Sequence, residues 1–187
     1  MFFKRKKSNL TEDTDLTRTE IIKLIAVSTQ PLKLQGLNLK GIDLSGLRYH
    51  SEFGFGLYLR EANLMGANLM GANLELADLS NAILHGANLF RAKLMSTRLN
   101  GADLNRACLT EANLLTADLK EASLMGAFLY EANLIGADLT RANLQGARLE
   151  GANLTGAFLC GANLKGARLE GTILERADLT NVIGLNK

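Results

Sequence analysis

The sequence predicts an all-β solenoid with four flat sides. Three observations indicate this fold: a repeat of five residues, alternating small and large apolar side chains within the repeat, and glycines confined to one phase of it. Leucine occupies every fifth position from Leu59 to Leu179. A period of five fits neither the 3.6 residues of a helical turn nor the two of a flat strand. A short fixed period is typical of a solenoid.

Each repeat is described relative to its central leucine, as in Ala62-Asn63-Leu64, where alanine is at position minus two and asparagine at minus one. Within the regular span only Thr97 and Thr172 replace the alanine. Small apolar, polar and large apolar residues in succession predict a three-residue strand with its first and third side chains inward. Two mostly polar or glycine positions follow, so the chain turns a corner. Four such corners would close a coil of about 20 residues, and coils would stack at about 4.8 Å.

The glycines support the corners independently. All of them except Gly54 and Gly184 stand at position plus two, immediately before the alanine. A tight turn such as type II requires positive φ at one residue, and glycine adopts it without strain. The same position elsewhere holds Glu, Arg, Asn, Thr or Leu. Not every corner therefore needs to be of the same type.

From about Leu32 to Ile183 the chain resembles the pentapeptide repeat proteins, whose pattern is written A(D/N)LXX. This resemblance implies a right-handed quadrilateral β-helix, and it implies a bacterial, cytoplasmic protein. The pattern is loosest at the start, where Leu37 and Ile42 replace alanine. We expect residues 50–56 to form a distorted or looped-out coil.

Three regions are predicted: a flexible basic and polar tail over residues 1–16, a capping helix over 17–31, and the solenoid over 32–187. Thr17 and Glu20 have the spacing of a capping box, and Pro31 is placed to end the helix. An open solenoid end exposes its apolar interior and unpaired backbone groups. A helix at this end is therefore expected to cover it.

Charge and cysteine content limit the functions and compartments to be considered. The formal net charge is +2, and it comes from the first 31 residues. The basic stretch Lys4–Lys7 follows two phenylalanines; it could contact an anionic membrane surface or form a solvated tail.

Cys108 and Cys160 are expected on different faces, too far apart for a disulfide. Free thiols and the absence of a signal peptide favour the cytoplasm. No segment has the length of a membrane span.

No catalytic constellation is visible in the sequence. His85 falls on an outward phase without a second histidine or cysteine at ligand spacing. The Asn and Asp residues at minus one recur along the whole chain, which favours a structural role in Asx-type turns. No phosphate-binding loop is present. We therefore expect no enzyme activity, no metal and no cofactor.

The outward positions are the remaining place for function. Taking every twentieth residue gives columns that are apolar in the middle of two adjacent faces and acidic at the end. They predict a protein-partner surface of Met70, Phe90, Met95, Leu115, Phe128, Tyr130 and Ile135. The alternative is that outward residues of a stable solenoid vary without consequence. Further along, Arg148 and Arg168 are expected to pair with Glu150 and Glu170.

The leading hypothesis is a non-enzymatic interaction or regulatory scaffold. An alternative follows from the resemblance, because some pentapeptide repeat proteins protect bacterial type II topoisomerases by imitating DNA. That mimicry needs a strongly acidic face, whereas here Arg98 interrupts the most acidic column and Lys120 lies nearby. A second alternative is a peripheral membrane scaffold that binds through residues 1–7. Direct nucleic-acid binding is not expected, since the repeats carry no basic stripe.

The C-terminal end has no visible cap. Ile183 and Leu185 are apolar and close to the terminus. Two molecules meeting there about a two-fold axis would cover both open ends, and such dimers occur in the family that the chain resembles. Alternatively, Gly184 would let the tail fold back over the last coil as a plug.

Overall fold

The computed structural model describes residues 16–27, 33–47 and 57–185. Its one named element, helix α1, spans Arg18–Val27. The backbone N–H of Thr17 donates to Glu20 Oε2 at 2.8 Å, and the backbone N–H of Glu20 donates to Thr17 Oγ1 at 3.3 Å. This reciprocal pair is the predicted capping box. The predicted continuation of the helix to residue 31 passes beyond Val27 into residues 28–32, which lie outside the described part of the chain.

Helix α1 packs beside the first coil. Ile21 is fully buried and belongs to the same apolar core as the leucines of the repeats. Arg18 donates from its guanidinium to the carbonyl oxygens of Asp43 at 2.8 Å and Ser45 at 3.1 Å. The buried Ile21 and the bridging Arg18 therefore attach the helix to the solenoid. Stabilisation of the open end by α1 stays a prediction.

Parallel backbone pairing repeats every 20 residues along the regular coils. Asn63 bridges Ile83, and Ile83 in turn bridges Asp103. Only the minus-one residue of each repeat forms a bridge, and no longer strand occurs within 33–47 or 57–185. The prediction of three-residue strands is therefore wrong. Corners recur every five residues, so only one residue between two corners forms a bridge with the neighbouring coil. The predicted 20-residue coil of four repeats is confirmed.

The four sides are named here by their minus-one residues in the regular coils. Face A carries positions 58, 78, 98, 118, 138, 158 and 178, and face B carries 63, 83, 103, 123, 143, 163 and 183. Face C carries 68, 88, 108, 128, 148 and 168, and face D carries 73, 93, 113, 133, 153 and 173.

The interior consists of the leucines and the minus-two alanines, as predicted. Leu119 and Ala122 are fully buried, as are their equivalents in the middle coils. The two threonines that replace alanine satisfy their hydroxyls within the solenoid. Thr97 Oγ1 donates to the Leu74 carbonyl at 2.7 Å, and Thr172 Oγ1 donates to that of Leu149 at 2.7 Å. A polar side chain is tolerated inside because a carbonyl of the preceding coil accepts its hydrogen bond.

The corners are more uniform than the sequence suggested. At each described plus-two position φ is positive, between 52° and 71°, in glycine and non-glycine residues alike. The following amide donates to the central leucine, as from Ala62 to the Leu59 carbonyl at 3.0 Å. A four-residue turn with positive φ at its third residue has the features of type II. The sequence left the corner types open, and φ is the same in kind at every described corner: Glu131, for example, adopts the conformation that glycine favours.

The first coil is offset from the others. Lys33 bridges Tyr58 and Asp43 bridges Asn68, so paired residues are 25 apart there instead of 20. The count places five additional residues between Leu47 and Leu57. The predicted distortion of residues 50–56 falls in this interval and lies outside the described residues.

Candidate functional site

The minus-one polar side chains are occupied in holding the turns. Asn63 Oδ1 accepts from the backbone N–H of Met65 at 3.1 Å, and Asp138 Oδ1 accepts from that of Thr140 at 3.0 Å. At Ser123, where the minus-one residue is neither Asn nor Asp, Asn105 Oδ1 of the preceding coil accepts instead from the backbone N–H of Met125 at 2.8 Å. These bonds confirm the predicted Asx-type role. The described residues contain no group of three or more His, Cys, Asp or Glu side chains that could hold a metal ion.

The predicted partner surface divides into two strips. Met70, Phe90, Phe128 and Tyr130 lie on face C, and Met95, Leu115 and Ile135 lie on face D; these sets are called the face C strip and the face D strip. Met70 is 45% exposed, whereas the other six are half-buried.

A polar row runs between the two strips. In consecutive coils it contains the exposed residues Arg91, Lys93, Glu111 and Glu131. Arg91 Nε lies 2.7 Å from Glu111 Oε2, and this hydrogen bond raises the pKa of Arg91. The expectation of one contiguous apolar surface is therefore wrong, since charged side chains occupy the corner where faces C and D meet.

Leu76 extends the face D strip, and the sequence interpretation missed it. Its side chain is 50% exposed, and its φ of 59° places it in the left-handed region. The Leu76 amide donates to the carbonyl of Met95 at 3.1 Å, which fixes the two residues on neighbouring coils. The signal in the sequence was a leucine at plus two, a position otherwise held by glycine or polar residues.

The face C strip is covered in part by arginines. The Phe128 and Tyr130 rings stack with centroids 6.5 Å apart. The Arg148 guanidinium lies 5.3 Å from the Phe128 ring centroid and donates to Tyr130 Oη at 2.9 Å. Similarly, the Arg91 guanidinium lies 4.8 Å from the centroid of Phe90.

The acidic residues above this cluster are only partly paired. Arg168 lies 3.9 Å from Glu150 Oε1, as expected, whereas the predicted pairing of Arg148 with a carboxylate is wrong, because Arg148 instead contacts Phe128 and Tyr130. The second carboxylate oxygen, Glu150 Oε2, is buried and has no hydrogen-bond partner in the described structure. Face C therefore holds a guanidinium without a carboxylate and a carboxylate oxygen without a donor in the same coil.

Face A carries the acidic column, and basic side chains neutralise part of it. Lys120 Nζ lies 2.9 Å from Asp138 Oδ2 and 3.9 Å from Asp118 Oδ1. Burial acts to raise the pKa of Asp138, but hydrogen bonds from Thr140 and Lys120 outweigh it and the pKa is lowered. The hydrogen bond to Asp138 raises the pKa of Lys120. At the next corner Arg141 lies 3.6 Å from Glu121.

The C-terminal coil is more exposed than the middle coils. Ile183 is 57% exposed, although its backbone forms a regular rung with Asn163. Leu185 is half-buried and packs against the core. Gly184 has φ of 91°, and a side chain there would collide with the backbone of Lys165. The tail thus covers the last coil only in part, and the dimer through Ile183 and Leu185 stays a prediction.

The cysteines, His85 and the predicted membrane contact were the remaining features of the sequence interpretation. Cys108 and Cys160 are both free and lie on faces C and A. His85 has only Asp103 as an ionic neighbour, at 4.0 Å, within the described chain. The proposed membrane contact through residues 1–7 lies outside the described residues. The described residues include no helix that combines the length and apolar character needed to cross a membrane.

Comparison with known proteins identifies the repeat. A family model described as pentapeptide repeats matches residues 58–95, 102–141, 117–156 and 142–181, which is more than half of the chain. A search of curated proteins gives no match.

Several solved structures are similar to this chain, and three of them illustrate the range. HetL, a pentapeptide repeat protein involved in heterocyst differentiation regulation in the cyanobacterium Nostoc sp. strain PCC 7120, is 34% identical, with 90% of this chain and 97% of HetL covered and a TM-score of 0.37. A pentapeptide repeat protein from the Arabidopsis thaliana thylakoid lumen is 33% identical over 51% of this chain and 69% of its own, with a TM-score of 0.48. QnrB1, a plasmid-mediated fluoroquinolone resistance protein, is 18% identical over 80% of this chain and 85% of its own, with a TM-score of 0.58. On the family match and the repeat geometry, this chain belongs to the pentapeptide repeat family.

Proposed function

We propose that the protein is a non-enzymatic scaffold that binds a protein partner through the face D strip and Leu76. The observation that carries the proposal is the placement of apolar side chains in successive coils, with Leu76, Met95, Leu115 and Ile135 along one edge. Apolar residues that recur in register on an outer face fit a binding surface better than single scattered ones.

Leu76 adds an independent argument. Its positive φ is shared by twelve other non-glycine residues at the described corners, but none of those is a large apolar residue. Half of the Leu76 side chain is exposed, which does not benefit the fold, because glycine or a polar residue would suit an exposed corner better. Burial of the side chain against a partner would offset this cost.

The experiment is affinity capture from native lysate followed by quantitative binding to the purified captured protein. The variant Phe90→Ser with Leu115→Ser changes one residue in each strip and is expected to keep the fold and abolish binding. Since the strips are separate, Leu115→Ser with Ile135→Ser assigns the loss to face D. Phe90→Ser with Tyr130→Ser is the matched control on face C and should retain binding. Unchanged binding by the face D pair would refute the proposal.

The charge pairing on face A supports a protein-binding role over imitation of DNA. Lys120 contacts both Asp118 and Asp138, and Arg141 contacts Glu121, so basic side chains neutralise part of the acidic charge on this face. A DNA mimic depends on a strong negative potential along one face. A gyrase supercoiling assay with added protein tests the choice: inhibition, or protection from a quinolone, would reverse this ranking.

A further inference from the structure

We propose that face C binds a second copy of this chain side by side, with the two solenoid axes parallel and a two-fold axis between them. This interaction is separate from the partner site proposed on face D. It uses the upper coils of face C, where the minus-one column changes from asparagine to Cys108, Phe128, Arg148 and Arg168. None of these four can form the Asx-type bond. Arg148 instead contacts Phe128 and Tyr130, and Arg168 lies near Glu150.

The arrangement of charges on face C is complementary to itself. The minus-one column carries Arg148 and Arg168, and the plus-one column of the same coils carries Glu150 and Glu170. A two-fold axis parallel to the solenoid places the minus-one column of each copy opposite the plus-one column of the other, at the same height. Arg148 then faces the second copy's Glu150, and Arg168 faces its Glu170. An antiparallel arrangement places each column opposite itself and loses this match.

The aromatic pair Phe128 and Tyr130 fits the same two-fold symmetry. Phe128 is at minus one and Tyr130 at plus one of a single repeat, so each would face the other ring of the second copy. Their rings already stack within the chain at 6.5 Å and stand half-buried at the surface. Rows of aromatic contacts flanked by charged contacts are the composition expected of a small interface.

Unsatisfied groups within the chain support the match. Arg148 donates to Tyr130 Oη but has no carboxylate neighbour among the described residues. Glu150 Oε2 is buried without a hydrogen-bond partner, and Oε1 lies 3.9 Å from Arg168, so a change of the Glu150 rotamer toward a second copy would exchange this long contact for one with the second copy's Arg148. The parallel dimer brings these two groups together.

Glycine corners leave room for the approach beside most of these rows. The corner before face C holds Gly126, Gly146 and Gly166, and the corner after it holds Gly151 and Gly171. Glu131, at the corner after the Phe128 row, is the exception, and its side chain is exposed. Four coils at about 4.8 Å span less than about 20 Å, so the contact is small and belongs to the weak class of interfaces.

The test uses sedimentation equilibrium from about 10 to 500 μM, in a background of Ile183→Lys and Leu185→Lys that blocks association through the C-terminal end. The background protein should show a concentration-dependent monomer–dimer equilibrium. Two charge variants are made in it: an acidic face with Arg148→Glu and Arg168→Glu, and a basic face with Glu150→Arg and Glu170→Arg. Each alone should dissociate at least about tenfold more readily, because like charges then oppose one another.

The mixture of the two variants is decisive. In an equimolar mixture every opposed pair is of opposite sign, so a one-to-one heterodimer should form at least as tightly as the parent dimer. Thermal melting of each variant confirms that the fold is kept. A background protein that stays monomeric at 500 μM, or a mixture that does not associate, would overturn the proposal. Loss of the face D partner would leave this result unaffected.

Discussion

The two ends of the solenoid are built from the same repeat but differ in how well their interior is covered. In the first coil the inward Leu34, Leu39 and Leu44 are 2% exposed or less. In the last coil the inward Leu179 is 36% exposed, and Leu169 and Leu174 are half-buried. Among the described residues, Ile21 and Arg18 of α1 contact the core and the first coil, whereas Leu185 packs against the core at the last coil. The comparison shows that the repeat sets which way a side chain points, and the neighbouring coil sets how far it is buried.

The largest expected effect tests whether the repeat position sets the direction of a side chain while the neighbouring coil sets its burial. Leu119→Asp places a charge in the fully buried middle of the solenoid and should lower the free energy of unfolding by at least about 3 kcal/mol. Leu179→Asp changes the same repeat position three coils further on, where solvent reaches the side chain, and should cost much less. Leu115→Asp, on the outer surface, is the matched control. Urea denaturation of the three variants measures the difference, and equal losses at residues 115 and 119 would refute the inward and outward assignment.

The second prediction concerns association at the poorly covered end. If two copies meet through the last coil, replacing Ile183 and Leu185 together by lysine should dissociate that dimer, because two charges would be buried in each copy. Ile183 is largely exposed and Leu185 is half-buried at the last coil, so the fold should survive with a small loss of stability, which a thermal melt checks. Sedimentation velocity at micromolar concentration compares the variant with the wild type. A wild-type monomer would rule out the end-to-end dimer and favour the partial plug by Leu185.

A third prediction compares the same threonine-to-carbonyl hydrogen bond at a fully buried and at a half-buried position. Thr97 and Thr172 each donate to a carbonyl of the preceding coil at 2.7 Å, but Thr97 is fully buried and Thr172 is half-buried. Thr97→Val should lower the free energy of unfolding by about 1 kcal/mol, since the hydroxyl bond is lost without access of water. Thr172→Val should cost less, because water can replace the hydroxyl near the open end. Thermal melts decide it, and a larger loss at residue 172 would contradict the argument.

The smallest expected effect is a pH dependence on face A. The pKa of Asp138 is lowered in the folded chain, so its contribution to stability is present above its ordinary pKa of 3.8 and is lost as pH falls through the folded value. Asp138→Asn should therefore remove part of the acid destabilisation, by less than about 1 kcal/mol because about half of the Lys120 side chain is exposed to solvent, which screens the pair. Urea midpoints at pH 7 and below pH 4 measure the change. An identical pH dependence in the variant would show that this pair contributes nothing.

Much of the fold followed from the five-residue period. The alternation of Ala, Asn and Leu predicted the buried columns, and the spacing of Thr17 and Glu20 predicted the start of α1. The periodicity could not predict the positive φ of Glu131 or Leu76, because the corner is imposed by the coil around it rather than by the residue that occupies it. The 25-residue offset of the first coil likewise depends on which residues pair across coils.

The candidate site was predicted less completely. Every member of the proposed surface lies on the expected face, but the charged row from Arg91 to Glu131 divides it, and Arg148 covers aromatic rings where a carboxylate was expected. Sequence spacing places residues in columns; it does not specify which rotamer a long side chain adopts among its neighbours.

The sequence by itself determined the repeat, the inward and outward positions and the 20-residue coil, because these follow from side-chain size and polarity at a fixed period. Only the tertiary structure decided the common corner geometry, the exposure of the last coil, the strain at Leu76 and the unpaired oxygen of Glu150. Each of these depends on contacts between residues about 20 or more apart in the chain, and such contacts exist only after the coils have stacked.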